Sequence, residues 1–154
     1  MRRLLVSSML LLASLGAADL ERPNFTGTWK LNLAKSDFGQ LPQPSDYERK
    51  IDHKDPLIQM TVRQVTAGGD QTLDSVLRTD GQEITNKYKT GEAKTVGKWL
   101  GRDLQLTTTR PVEGGEVVST DTWSLSADGK TLTTVTQLKT PRGSFQVRMV
   151  LERQ

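Results

Sequence analysis

Thr131-Leu132-Thr133-Thr134-Val135-Thr136-Gln137-Leu138-Lys139-Thr140-Pro141-Arg142-Gly143-Ser144-Phe145-Gln146-Val147-Arg148-Met149-Val150-Leu151-Glu152 is the stretch from which the rest of this chain is read. Phe145, Val147, Met149 and Leu151 alternate with Gln146, Arg148, Val150 and Glu152. A period of two puts the first set on a buried face and the second in water. Pro141-Arg142-Gly143 separates that strand from the β-branched run before it, so 131–139 and 144–152 read as an antiparallel hairpin. Ile58, Met60 and Val62 are set against Leu57, Gln59, Thr61 and Arg63 in the same way. Trp123 and Leu125 share a face, as do Leu104 and Leu106.

Toward the N-terminus, turn residues recur at Asp55-Pro56, Gly68-Gly69-Asp70, Asp80-Gly81, Gly91, Gly101, Gly114-Gly115 and Asp128-Gly129, in steps of 10 to 14 residues. Such spacing marks successive hairpins. Asp80-Gly81 and Asp128-Gly129 are the clearest turn signals, because both residues tolerate positive φ. The remaining strands fall near 25–32, 47–53, 57–65, 71–78, 82–88, 93–100, 103–110 and 116–125. No segment has room for the helical crossovers of a βαβ fold. The expectation is all-β: an antiparallel up-and-down meander that closes into a β-barrel of about 8–10 strands and so removes its exposed edges. A two-layer sandwich is the rival, but it needs longer crossover links, and only the first link here is long. A transmembrane barrel needs aromatic girdles and a tall apolar band. Three Trp, two Tyr and three Phe do not supply them.

That long link, Leu33 to Asp46, carries Pro42 and Pro44, which bar regular helix or central strand. Links of this length serve as lids over a cavity or as solvated connectors. Phe38 and Leu41 point to a segment that folds back onto the body.

The N-terminus reads as an export signal. Met1-Arg2-Arg3 precedes an apolar run from Leu4 to Leu15 and then Gly16-Ala17-Ala18, with Gly16 and Ala18 at the −3 and −1 positions of a cleavage site. The run is shorter than the ~20 residues of a spanning helix; a retained anchor is the alternative. The division is thus 1–18 as signal peptide and 19–154 as a single β-barrel domain, secreted, with the bacterial periplasm as its expected compartment. Losing Arg2 and Arg3 takes the 21 basic side chains to 19 against 18 acidic. Basic residues are spread along the strands, which excludes a nucleic-acid footprint. The absence of cysteine excludes disulfides, thiolate metal sites, a cysteine nucleophile and a lipid-anchored cysteine.

Phe25-Thr26-Gly27-Thr28-Trp29-Lys30-Leu31 resembles the first strand of the calycins, which include lipocalins and intracellular fatty-acid-binding proteins. The string through Asn32, Lys35, Ser36 and Phe38 is similar to small secreted bacterial lipocalin-like proteins. Val150-Leu151-Glu152-Arg153 is similar to the ending of the fatty-acid binders. The resemblance implies a calycin-like barrel. In it Gly27 and Trp29 form the structural signature, Trp29 closes one end, and Arg148 or Arg153 packs over the indole. The fatty-acid binders place a helix-turn-helix after the first strand, where this chain has its proline-bearing link. Their last strand carries an inward Arg-x-Tyr pair, where this chain has Met149 and Leu151.

Catalysis has few footholds. His53, the only histidine, reads as a surface residue of the Asp52-His53-Lys54-Asp55-Pro56 turn. No nucleophile motif accompanies it. One histidine without cysteine argues against zinc, and the turn aspartates Asp70, Asp80 and Asp128 lie too far apart for calcium. No cofactor is implied. Trp29, Trp99 and Trp123 are core aromatics on one reading; on the other, one or two line a cavity. Ten strands with few aromatics and many threonines are hard to pack solid, which favours a cavity. The expected function is non-enzymatic binding of a small hydrophobic molecule in the barrel interior. Met60, Trp99, Trp123, Phe145, Val147 and Met149 are the expected lining, and Arg110 an inward polar contact. The alternative is a structural or protein-interaction module with a filled core. An enzymatic role requires His53 to lie in a cleft beside an acid.

Overall fold

Ten strands form one continuous sheet in the computed structural model, which describes residues 21–154. They are β1 (Gly27–Leu31), β2 (Asp46–Lys54), β3 (Leu57–Thr66), β4 (Gly69–Arg78), β5 (Asp80–Tyr88), β6 (Gly91–Leu100), β7 (Asp103–Val112), β8 (Gly115–Leu125), β9 (Thr131–Thr140) and β10 (Gly143–Arg153). The spatial order is β4-β3-β2-β1-β10-β9-β8-β7-β6-β5, every neighbouring pair antiparallel. The chain therefore meanders from β2 to β10 and closes when β10 lies beside β1, with Trp29 opposite Arg153 and Leu31 opposite Leu151. One seam, between β4 and β5, carries no ladder. The result is a nearly closed antiparallel barrel. The signal sequence read in 1–18 lies outside the described residues.

Side-chain alternation sorts each strand into an inner and an outer face. Ile51, Ile58, Leu77, Leu104, Leu106, Trp123, Leu132 and Leu151 are buried on the inner face and join Phe25 and Trp29 in one core. They cluster at the end of the barrel that holds the β2–β3, β4–β5, β6–β7 and β8–β9 turns. That end is closed. Residues of the same inner faces toward the other end, such as Ser119, Thr136, Leu138, Phe145 and Val147, are only half-buried. That end is open.

Gly27, Trp29 and Arg153 form the seal of the closed end. Trp29 is fully buried, and its Nε1 donates to the Phe25 carbonyl at 2.9 Å. The Arg153 guanidinium carbon lies 4.3 Å from the indole centre, while Nη1 donates to the Thr26 carbonyl and Nε to the Gly129 carbonyl. A Cβ at residue 27 would lie 2.4 Å from Arg153 Nη1. The glycine is what lets the arginine lie flat over the tryptophan. Arg148 is elsewhere: its Nη1 donates to the Lys35 carbonyl on the outer surface.

Two details differ from the alternation and turn rules. Val150 belongs to the outer register of β10 but is 4% exposed. A 3-10 turn at Leu33–Lys35 lies against it, and Asn32 N–H donates to the Val150 carbonyl at 2.8 Å. The link then runs along β10, with Asp37 and Arg148 exchanging backbone hydrogen bonds and Phe38 buried, so it does fold back onto the body. The second difference is Asp80-Gly81, which is not a hairpin turn. It begins β5, next to a register irregularity between Asp80 and Glu83, and Thr79 makes the turn. The Arg78 guanidinium grips Asp80 with two hydrogen bonds and holds its carboxyl down at about 2.

Candidate functional site

A cavity of about 270 Å³ occupies the open half of the barrel. Leu73, Ala93, Val117 and Leu138 supply its apolar wall; Tyr88, Thr90, Thr108, Arg110 and Ser119 supply its polar atoms. All but Thr90, which lies in the β5–β6 turn, are on the inner faces of their strands. The alternation that builds the core at one end therefore builds the cavity at the other. The difference is side-chain size. At the closed end the inner positions hold Trp, Phe, Ile and Leu; toward the open end β7, β8 and β9 place Thr108, Ser119 and Thr136 inward, which leaves space.

A polar layer separates the cavity from the closed core. Arg49 on β2 reaches inward, 6% exposed, and both Nε and Nη2 donate to the Tyr47 hydroxyl at 3.1 and 2.6 Å. Its guanidinium carbon lies 5.0 Å from the centre of Trp123. Asp121, one inner position beyond Trp123 on β8, accepts hydrogen bonds from the Thr136 and Ser119 hydroxyls. Burial pushes the Asp121 carboxyl above the ordinary carboxylate range, and the hydroxyl bonds and the Arg49 charge only partly oppose this. Ser119 touches both Asp121 and the cavity, so the layer is the cavity's floor on that side.

The sign of the pH dependence follows. An acid with a raised folded-state pKa binds more protons folded than unfolded, so its contribution to stability falls as pH rises through that window. Asp121→Asn is therefore expected to be more stable than the parent at pH 7. That advantage should shrink on acidification and vanish below about pH 3.5, where both states of the parent are protonated. Thermal melts of both proteins from pH 3 to 8 test this; parallel curves across the whole range would refute it.

The residues expected to line a cavity are dispersed. Arg110 does line it, at the mouth. Met60 packs against the core and borders an indentation with Ser75, Val76 and Asn86. Phe145 borders a groove under Asp37 and Gly39, Val147 is half-buried on the inner face of β10, and Met149 packs against the core. Trp99 and Trp123 are at the closed end. Their rings lie 5.9 and 5.5 Å from Phe25, the first stacked and the second edge-on, and Arg22 lies over Trp99. Leu73, Tyr88, Ala93, Thr108, Val117, Ser119 and Leu138 were not among the expected residues. Inner-face parity alone identifies most of them, but it does not say at which end of each strand the space lies.

His53 is a correction. It is not a surface turn residue: β2 runs through Lys54, His53 is 4% exposed, and its ring stacks 5.7 Å from Phe25 and 6.1 Å from Trp99. Asp52 and Lys54 take the outer positions, and the segment before β1 covers the ring. Nδ1 accepts from Phe25 N–H at 3.2 Å, and Nε2 lies 3.4 Å from Asp55 Oδ1. Asp55 in turn accepts from the Thr79 hydroxyl at 2.5 Å, the bond that does most to lower its carboxyl. An acid is thus beside the histidine, but the ring is buried in the closed end and both ring nitrogens are engaged. The cluster ties the N-terminal segment to the β2–β3 and β4–β5 turns.

No protein-family model matches the chain, and no curated protein matches it in sequence. Solved structures match it in fold. A secretory abundant heat soluble protein from Ramazzottius varieornatus superposes with a TM-score of 0.63 at 12% identity, covering 89% of this chain and 100% of that one. Zebrafish ileal bile acid-binding protein complexed with cholic acid gives 0.57 at 14% identity, covering 84% and 98%. Caenorhabditis elegans lipid binding protein 8, in its apo form, gives 0.55 at 13%, covering 84% and 95%. At these identities the likeness establishes the architecture, an antiparallel, calycin-like β-barrel.

Proposed function

We propose that this protein is a non-enzymatic carrier that holds one small, mainly apolar molecule in the open half of its barrel. The observation that carries the reading is the cavity itself: Leu73, Ala93, Val117 and Leu138 give it an apolar wall, with Arg110, Tyr88 and Ser119 as orienting groups. Ligand pockets combine a predominantly apolar surface with a few placed polar atoms. At about 270 Å³ the cavity suits a compact guest, near the lower end of the usual pocket range of about 300–1,000 Å³. The bile acid-binding and lipid binding proteins among the structural neighbours support the same reading.

The test is a titration with 1-anilinonaphthalene-8-sulfonate, followed by displacement with uncharged and charged apolar compounds of graded size. Saturable one-to-one binding is expected. Ala93→Phe, which places a ring in the cavity, should weaken it at least tenfold while far-UV circular dichroism stays unchanged. Equal binding by the filled variant would show that the dye sits elsewhere and would sink the reading. We further propose export to the periplasm with removal of residues 1–18; N-terminal sequencing of the exported protein should begin at Asp19.

A further inference from the structure

We infer that the guest enters through the side of the barrel, between β4 and β5, rather than through the ring of turns at the open end. The inference rests on the carrier reading above. β4 and β5 are consecutive in sequence and adjacent in space, yet no backbone ladder joins them. Every other neighbouring pair in the barrel has one. Among the described residues, apart from the Arg78–Asp80 pair at the turn itself, the hydrogen bonds across this seam are made by Asn86 and by Tyr88 with Ser75. The Asn86 amide copies a peptide group: its Oδ1 accepts from Val76 N–H at 2.8 Å and its Nδ2 donates to the Val76 carbonyl at 2.9 Å. Nearer the open end, the Tyr88 hydroxyl meets Ser75 Oγ at 2.7 Å.

The one ion pair that joins the two strands among the described residues, Arg78 with Asp80, sits at their turn, and none reinforces the seam toward the open end. Asp74 and Lys87 stand on opposite walls of the seam, but Asp74 accepts from Thr61 and Lys87 pairs with Glu92, each on its own side. Beyond Tyr88 the strands part around a crevice of about 500 Å³. Leu73, Tyr88 and Thr90 line both that crevice and the interior cavity. They form the partition between outside and inside. Leu73 is an inner-face residue, opposite Val62 of β3, and is nevertheless 41% exposed. It presents an apolar surface to an arriving guest. Breaking the Tyr88–Ser75 bond joins the two spaces, while Asn86 keeps the lower part of the seam stitched.

A gate of this kind has a kinetic signature. Closing the route must slow entry and exit by the same factor and leave the equilibrium unchanged, because the bound and free end states are the same. The absence of cysteine allows a clean test: Asp74→Cys/Lys87→Cys, bridged by a bis-methanethiosulfonate and studied by stopped-flow with 1-anilinonaphthalene-8-sulfonate. Bridging is expected to lower the association and dissociation rates together by at least tenfold, with Kd within twofold, and reductant should restore both. The same bridge in Glu83→Cys/Lys94→Cys, on the already laddered β5 and β6, should change neither rate. Asn86→Ala should raise both rates several-fold. Unaltered rates in the bridged seam, or equal slowing by the control bridge, would overturn the side entrance and leave the carrier reading standing. No saturable binding by the parent would instead remove the carrier reading and the entrance with it.

Discussion

Replacing Trp29 by alanine is expected to remove about 3–5 kcal/mol of stability, the range for truncating a fully buried large aromatic. Trp29 has no exposed surface, donates to the Phe25 carbonyl and supports the Arg153 guanidinium at 4.3 Å. Truncation opens a void and strands the arginine, which then holds the Thr26 and Gly129 carbonyls without the ring beneath it. Phe25, which plugs the same end and carries the contact to His53, loses an anchor as well. Guanidinium denaturation is the measurement, and a loss under about 1 kcal/mol would mean that the end of the barrel is not sealed by this residue. Arg153→Ala should cost less, about 0.5–2 kcal/mol, since it removes a cation–π contact and exposed hydrogen bonds but no buried volume.

Gly97→Ala is expected to cost about 3 kcal/mol or more, at or above the upper end of ordinary overpacking. A Cβ there would lie 2.0 Å from the Arg78 carbonyl oxygen and 2.7 Å from Leu106 Cδ2. The first obstacle is backbone, at the end of β4, and cannot rotate away as a side chain does. Gly27 makes the contrast: its would-be Cβ meets the far end of Arg153, a flexible side chain that can swing off its tryptophan. Relief at residue 97 requires β4 to move away from β6 and with it the unladdered seam. A single methyl should therefore act twice, on stability and on the seam. Denaturation midpoints of Gly97→Ala against Ala93→Gly, a size change at another inner position of β6, would separate this clash from ordinary sensitivity of the strand. Equal small losses would show that the end of β4 is not seated there.

The strands were legible because each carries its own instructions. The period of two in 144–152 and the spaced turn residues are local properties, and all ten strands occur close to where these place them. The local rule also explains its own failures. Asp80-Gly81 has the composition of a turn, yet Thr79 turns the chain, because Arg78 holds Asp80 and the end of β4 packs against Gly97. His53 sits among Asp52, Lys54 and Asp55, a setting that reads as solvent, and only the alternation through Lys54 carries its ring inward.

The cavity was less legible. Inner-face parity marks Thr108, Ser119 and Leu138 as surely as Leu104, Trp123 and Leu132, yet the first three line space and the second three fill it. Which applies depends on where along the barrel axis each inner residue lies relative to all the others. That follows from strand stagger and ring closure, which join residues more than a hundred positions apart, as Trp29 and Arg153 are joined. The expected placement of Trp99 and Trp123 in the cavity ignored this height. Both stand at the level of Phe25, a residue before the first strand whose ring closes the barrel from below.

What the amino-acid sequence determined by itself was the set of strands, their order and the face each side chain takes, because hydrophobic alternation and turn chemistry act over a few neighbouring residues. The tertiary structure alone decided which end is sealed, that Arg153 and not Arg148 covers Trp29, that β4 and β5 part, and where the interior stays hollow. Each of those depends on closing the sheet on itself, a condition on the whole chain that no local segment records.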